Sequence, residues 1–248
     1  MLGDAYTFLT TSANWTGDAG MLKLLVEQLL QTVTALVVAS AIGLPIALWL
    51  GHIGKGGFLA INISNAGRAV PTFAVLVLLS VGPLSLEALG SDWFYFGPYG
   101  RAGLATLIAL VLFAMPPIIT NAYVGVREVD RDIVEASMGM GMRGGQVFRR
   151  VELPLAMPVV MTGIRLALVQ VWATATIAAL VAGPGLGNVI TDGFYNSEYG
   201  KGLAGAFVVA VVAFVLEILT LGAERLAAPR HQRRAMRLAP RQTVGAAV

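Results

Sequence analysis

The sequence predicts an all-α integral membrane protein with about five transmembrane helices and one polar loop on the cytoplasmic side. Hydrophobic residues make up 56% of the 248 residues and charged residues only 12%, whereas a soluble domain carries about 25% charged residues. The charges are confined to a few short segments, so the stretches between them are almost free of charge. Both features are typical of a chain whose main solvent is lipid.

Five segments are long and apolar enough to cross the bilayer core, which takes about 20 residues of helix at a rise of about 1.5 Å each. The second is interrupted by Arg68 and Pro71, and the third contains Pro116 and Pro117. We expect these prolines to kink the helices that hold them. In chain order the predicted spans are residues 29–50, 57–84, 102–124, 155–181 and 203–226.

Basic residues are distributed unevenly between the connecting segments. Only Lys23, Arg101 and Lys201 fall on one side, and most of the others follow the first, third and fifth spans. Basic residues concentrate on the cytoplasmic side of membrane proteins, so the N-terminus is predicted to be outside and the C-terminus inside. The predicted cytoplasmic set is Lys55, Arg127, Arg131, Arg143, Arg149, Arg150, Arg225, Arg230, Arg233, Arg234, Arg237 and Arg241.

This topology predicts three regions. Residues 1–27 have no basic start and no signal-peptide pattern, and are predicted to be a short exposed lead-in on the external side. Residues 28–226 form the transmembrane domain, and residues 227–248 form a basic cytoplasmic tail. The tail has no aromatic residues that could stack on bases, so we interpret its arginines as an orientation signal and a contact for anionic lipid, not as a nucleic-acid site.

Residue content also restricts the chemistry of the chain. There are no cysteines, which excludes disulfides, thiolate metal sites and cysteine nucleophiles. The two histidines, His52 and His231, lie far apart in sequence and among basic residues, so no metal site is predicted. No catalytic residue and no cofactor are predicted either.

The longest polar stretch is residues 127–153, which we call the elbow. Asp132 can cap a short helix, with Glu135 three residues later in a box-like position, and Gly139 and Gly141 can end that helix. A second short helix is predicted over residues 144–151. The pair Leu153 and Pro154 then opens the fourth span, because proline is tolerated at a helix start. A rigid helix–glycine–helix elbow suits docking into the groove of a partner.

The elbow resembles the EAA loop of ABC importer permeases, the membrane subunits of binding-protein-dependent importers. The family pattern is Glu-Ala-Ala, then three residues and a glycine, then about nine residues and a hydrophobic-Pro pair; Ser137 stands where alanine is frequent. The resemblance implies a type I ABC importer permease fold in a bacterial plasma membrane and a coupling helix that contacts the ATPase subunit. The residues that carry it are Glu135, Ala136, Ser137, Gly139, Met140, Gly141, Leu153 and Pro154.

Two glycine patterns in the chain resemble nucleotide sites without meeting their requirements. Residues 139–144 match G-x-G-x-x-G, but no strand precedes them and no βαβ unit follows. Gly54, Lys55 and Gly56 lack the Walker spacing and the hydroxyl residue after the lysine. The chain is therefore not expected to be an enzyme, and ATP hydrolysis is expected on a separate subunit.

Two further segments are similar to the osmoprotectant branch of the same family, which imports glycine betaine, choline, carnitine or proline. They are residues 68–79 and residues 172–188, the latter containing the glycine-rich run 182–187. Residues 68–79 are also similar to methionine permeases, so a methionine-type or other small-solute importer is the alternative. The resemblance implies an external solute-binding protein, a second permease subunit, identical or related, and a cytoplasmic dimer of ATPases.

Three ionisable residues lie well inside the predicted spans, away from their ends: Arg68, Arg165 and Glu217. Such residues usually face protein or water rather than lipid. Counting about 1.5 Å per residue places all three roughly 12–16 Å from the cytoplasmic boundary. We predict that Glu217 pairs with Arg165 or Arg68 in a structural role, and a place on the solute path is the alternative.

Two external features have more than one interpretation. Gly183, Gly185 and Gly187 form either a turn after the fourth span or a flexible gate near the solute path. An aromatic cluster in the preceding external loop is either a cation–π cage for a quaternary ammonium or an interfacial belt or docking surface. Sequential residues cannot all face one point, which favours the belt. The cluster consists of Trp93, Phe94, Tyr95, Phe96 and Tyr99.

Membrane proteins of other classes would use the elbow differently. A stand-alone channel or secondary transporter, or a structural membrane scaffold, would need no ATPase. In each of these classes the elbow would have no ATPase to contact, and replacing Glu135 or Gly139 would have little effect on transport. Dependence of uptake on these two residues therefore separates an ABC permease from the other classes.

Overall fold

The structure is a computed structural model, and it describes residues 1–17, 19–58, 62, 70–80 and 99–227. Within these residues every regular element is helical, which confirms the all-α prediction. The helices are α1 (Leu2–Thr10), α2 (Met21–Ile53), α3 (Thr72–Ser80), α4 (Arg101–Arg127), α5 (Arg131–Gly139), α6 (Gly144–Val147), α7 (Leu153–Ile177), α8 (Gly187–Tyr195) and α9 (Tyr199–Ala227).

Four helical segments of the described chain are long and apolar enough to cross a membrane. They correspond to the first, third, fourth and fifth predicted spans. Of the second predicted span, 57–84, only part is described, and Pro71 lies directly before its helix α3. Pro116 and Pro117 lie inside α4, which remains helical from end to end. The four segments are Met21–Ile53, Ala102–Arg127, Gly144–Val181 and Tyr199–Glu224.

Helices α2, α4 and α7 form the centre of the bundle, with α4 in contact with both of the others. Alanines dominate the contact surface. Between helices in lipid there is little hydrophobic driving force, so small residues stabilise the bundle by letting the backbones approach closely. The buried residues that the three helices share are Ala35, Ala39, Leu110, Ala114, Ile118, Ala167, Val171 and Ala175.

Helices α4 and α7 approach each other closely at Gly163. A Cβ atom added there would lie 2.6 Å from the Cβ of Asn121 and 2.9 Å from the carbonyl oxygen of Pro117. The Asn121 side chain is itself held, because its amide donates to the same Pro117 carbonyl at 2.8 Å. The register of the two helices therefore depends on the missing side chain at Gly163.

The N-terminal residues form a helix of their own ahead of the first span. Residues Leu2–Thr10 form a helix that packs against α9, and α2 begins at Met21, eight residues before the predicted first span. Met21 is buried with Trp172 of α7. The predicted boundary was too late because Lys23 and Glu27 interrupt the apolar run, although the helix continues through both.

Replacing Gly163 by alanine should destabilise the bundle, because the added methyl group overlaps Asn121 and overpacking typically costs about 1–3 kcal/mol. Thermal unfolding of the purified protein in detergent measures this as a lowered Tm. Gly222 of α9 is the matched control, since a Cβ there meets nothing within 4 Å and alanine favours a helix over glycine by up to about 1 kcal/mol. A Gly163→Ala protein as stable as the Gly222→Ala protein would contradict this packing.

Candidate functional site: the elbow and the charges beside it

The first elbow helix, α5, is capped two residues earlier than predicted. The cap is Asp130, whose carboxylate accepts a hydrogen bond from the Asp132 backbone N–H at 3.0 Å. Asp132 lies in the first helical turn instead, where a negative charge also favours the positive end of the helix dipole. The helix ends at Gly139, and Gly141 adopts a φ of +88°, a left-handed conformation that favours glycine.

The elbow has a small apolar core of its own. Val129, Val134 and Val147 are buried together, and Val151 and Leu155 pack against them. Ser137 also faces inward, at 4% exposure, and its hydroxyl donates to the Ile133 carbonyl oxygen at 2.7 Å. Serine at this position of the motif is therefore accommodated by a local hydrogen bond, and the two elbow helices are held at a fixed angle.

The opposite face of α5 is exposed and partly apolar. Glu135, Ala136 and Gly139 lie on it, and Met138 and Met140 are 52% and 73% exposed. A Cβ atom added at Gly139 would meet nothing within 4 Å, and the φ of this residue is not left-handed. No contact within the described chain therefore requires a glycine at 139.

The elbow continues into the fourth span without a break. The sequence predicts a separate helix over 144–151 followed by a new start at Leu153 and Pro154, but the chain is helical from Gly144 to Val181. A five-residue π-helix, Phe148–Glu152, joins α6 to α7, and Pro154 lies in the first turn of α7. The elbow and α7 are therefore parts of one continuous helical segment.

Charged residues of α7 and α9 meet within the bundle. Arg165 Nη1 lies 3.4 Å from Glu217 Oε1, and Arg165 Nε lies 3.6 Å from Glu224 Oε2. Glu224 also accepts a hydrogen bond from the Thr162 hydroxyl at 2.9 Å. The predicted partners Arg165 and Glu217 are thus neighbours, whereas Arg68 lies outside the described residues. The sequence analysis did not single out Glu224, which lies close to the end of the fifth predicted span.

The glycine run at the other end of α7 is a turn built around a buried side chain. Gly183 and Gly185 lie in the turn, and Gly187 begins α8, a helix that the sequence analysis did not predict. Gln28 of α2 is fully buried beneath the turn. Its Oε1 accepts from the Leu186 N–H at 2.9 Å, and its Nε2 lies 3.0 Å from the Thr176 hydroxyl.

The aromatic cluster is described only in part. Residues 93–96 lie outside the described residues, so the choice between a cage and a belt stays a prediction. The Tyr99 hydroxyl lies 2.7 Å from the Thr34 hydroxyl of α2. Tyr99 thereby connects the start of α4 to α2.

Comparison with known families places most of the chain in a single group. Residues 39–232 match the family described as "Binding-protein-dependent transport system inner membrane component". The match includes the whole elbow, the charges of α7 and α9, and the glycine turn.

Individual relatives are similar over most of their own length. The glycine betaine/carnitine/choline transport system permease protein OpuCB of Bacillus subtilis is 29% identical, over 82% of this chain and 87% of that protein. The choline transport system permease protein OpuBB of the same organism is 30% identical, over 84% and 88%. The carnitine transport permease protein OpuCD of Listeria monocytogenes is 31% identical, over 83% and 85%.

Solved structures show the same fold at lower identity. The MetNI methionine ABC transporter in an inward-facing conformation superimposes with a TM-score of 0.68, at 19% identity over 84% of this chain and 96% of that chain. An amino acid ABC transporter gives a TM-score of 0.63 at 18% identity, over 87% and 93%. The chain therefore has the fold of these importer subunits.

Replacing Arg165 by glutamine should destabilise the protein, because it leaves Glu217 and Glu224 close together without their shared cation. Adding Glu217→Gln and Glu224→Gln removes the uncompensated charge, so we expect the triple variant to recover most of the loss. Removing one partner of a fully buried ion pair costs about 3–5 kcal/mol, and the partial exposure of these side chains reduces this to roughly 1–3 kcal/mol. The amount of folded protein recovered from membranes measures both variants, and a triple variant no better than Arg165→Gln alone would contradict the arrangement.

Proposed function

The chain belongs to the family of binding-protein-dependent transport system inner membrane components, and on that premise we propose that it is the permease subunit of an ATP-driven importer for a compatible solute. Glycine betaine, choline, carnitine and proline are the candidate solutes. The observation that carries this proposal is the identity of about 30%, over more than four-fifths of the chain, with permeases named for glycine betaine, choline and carnitine.

ATP hydrolysis is assigned to a separate cytoplasmic ATPase dimer. The elbow supports this assignment, because α5 combines a rigid buried side with an exposed apolar side next to Glu135. Exposed apolar residues on an otherwise polar segment mark a docking surface for a protein partner. The proposed contacts of the ATPase are Glu135, Ala136, Gly139 and Met140, with Ser137, Gly141, Leu153 and Pro154 holding their geometry.

The remaining partners follow from the kind of transport that the family performs. A solute-binding protein delivers the solute at the external face, and a second permease subunit, identical or related, completes the path. Each conformation is favoured by a different ligand, ATP on one side and the loaded binding protein on the other, because a ligand shifts an equilibrium only by its differential affinity. No covalent chemistry by the permease is required.

We place the chain in a bacterial inner membrane with its elbow in the cytoplasm and the glycine turn outside. The arginines of the elbow and of residues 227–248 support this orientation through the positive-inside rule. Helix α1 and the glycine turn lie at the same end of the bundle, because Phe8 and Leu9 of α1 belong to the same apolar cluster as Leu186 of the turn. Residues 1–27 are then external, as the sequence analysis expects.

A methionine-type importer is the second candidate within the same class. The fold of the methionine transporter superimposes well, but at 19% identity this likeness extends to the fold alone. Gly183, Gly185 and Gly187 are proposed to be a structural turn, because the buried Gln28 holds it from below. The pair Arg165 and Glu217 is likewise proposed to be structural, together with Glu224.

Cells lacking this gene should lose uptake of labelled glycine betaine at high osmolarity, in a strain without other betaine carriers. The intact gene should restore it, and Gly139→Leu should lower the restored rate at least about tenfold, since 1.4 kcal/mol of lost docking energy is already tenfold. The added side chain meets nothing inside the described chain, so the variant protein should reach the membrane in normal amount.

Gly145→Leu is the matched control for this experiment. Gly145 lies in the same elbow, and a Cβ there also meets nothing within 4 Å, but it lies in α6 rather than in the motif. We expect uptake close to that of the wild type. Unchanged uptake on deletion of the gene would overturn glycine betaine as the solute, and equal rates for the two glycine variants would overturn docking through α5.

A further inference from the structure

A hydrogen bond joins the end of the first span to the elbow. His52 lies in the last turn of α2, and Glu152 is the last residue of the π-helix that joins the elbow to α7. The His52 Nδ1 atom lies 2.5 Å from Glu152 Oε2, between residues one hundred positions apart in sequence. When Glu152 is ionised, Nδ1 is the donor of this hydrogen bond, because a carboxylate only accepts.

This contact is sheltered from solvent. Glu152 is only 5% exposed, and a buried carboxylate is strongly destabilising unless it is hydrogen-bonded or paired. The imidazole ring of His52 also packs on the ring of Phe148, with centroids 5.2 Å apart. On the other side an open apolar pocket borders the ring, and Pro45, Leu48 and Trp49 of α2 line it together with Phe148. The ring contact with Phe148 is therefore a second contact, besides the hydrogen bond, between the end of α2 and the elbow.

The same end of α2 also packs closely against α4. A Cβ atom added at Gly51 would lie 2.9 Å from the Cβ of Val126. Gly51 and His52 are neighbours in sequence, so one turn of α2 contacts the end of α4 and the elbow at once. A movement of the elbow therefore has a route into the bundle besides the continuous helix α6–α7.

We propose that His52 and Glu152 are positioning residues that make the cytoplasmic end of α2 move as one body with the elbow. Displacement of the elbow by the ATPase then reaches α2 through this hydrogen bond and α7 through the helix itself. Helices α2 and α7 of the central bundle then reorient together, instead of α7 alone. This inference rests on the proposed function only in taking the elbow as the contact site of an ATPase.

Three variants separate the hydrogen bond from the bulk of the side chains. His52→Asn keeps it, because the asparagine Nδ2 is bonded to Cγ as the histidine Nδ1 is and donates from a similar position. His52→Leu with Glu152→Gln removes it without leaving an unpaired buried carboxylate. Glu152→Gln alone keeps the shape of the side chain and weakens the bond, because its charge is lost.

The direct measurement is a distance between spin labels at Lys55→Cys and Arg150→Cys, both exposed positions in a chain without cysteines. The permease is labelled in its complex with cysteine-free ATPase subunits, without nucleotide and with ATP and vanadate. We expect one narrow distance within a subunit in both states for the wild type and for His52→Asn. We expect a broadened or shifted distance in at least one state for His52→Leu/Glu152→Gln. A wild-type distance that changes between the states, or a double variant that behaves as the wild type, would overturn the proposal.

The amount of solute imported per ATP hydrolysed provides a second measurement. A merely structural role of the two residues would not change this ratio. In proteoliposomes of the full complex, we expect the double variant to import at least about tenfold less glycine betaine per ATP hydrolysed, with ATP hydrolysis within about twofold of the wild type. A merely structural role would lower both in proportion to the amount of protein. If the wild-type complex imports no glycine betaine while the label distances behave as expected, the proposed solute fails and the positioning role stands.

Discussion

The structure depends on the close approach of α4 to α2 and α7. An apolar side chain is as favourably placed in lipid as against another helix, so the hydrophobic effect does not hold the three helices together. Close contact between small residues does. The alanines at their interface are fully buried, and Gly163 leaves no room for a methyl group beside Asn121. This packing determines where the two ends of α7 lie, and the elbow and the glycine turn are attached to those ends.

The elbow combines a fixed internal structure with a solvent-exposed outer face. Its valine core and the Asp130 cap hold α5 at a set angle, while Glu135, Met138 and Met140 face outward. In the proposed coupling, this segment moves as a rigid unit when the ATPase displaces it. The displacement then reaches the bundle by two routes, the continuous helix from Gly144 to Val181 and the hydrogen bond between His52 and Glu152.

Hydropathy and motif spacing predicted the membrane helices and the elbow, since both are local properties of the sequence. Contacts between residues far apart in sequence could not be predicted in this way, because they are not local properties. Gln28 was placed before the first span, yet it lies buried beneath the glycine turn. His52 was considered only as a metal ligand, and Glu152 only as part of the motif. One feature of the sequence could have indicated that Gln28 is buried. It is a polar residue directly beside a long apolar run, and lipid offers it no hydrogen-bond partner, so the partner must come from the protein.

The claim that α5 is the surface docked into the ATPase is tested most directly by disulfide crosslinking. Single cysteines at Ala136 and at Ser137 are compared in a complex whose ATPase carries one cysteine in its groove. Ala136 is exposed and Ser137 is buried. The arrangement predicts a rapid crosslink from residue 136 that changes in yield with ATP, and at least about tenfold slower crosslinking from residue 137. Crosslinking from neither position, or equal rates from both, would contradict docking through this face.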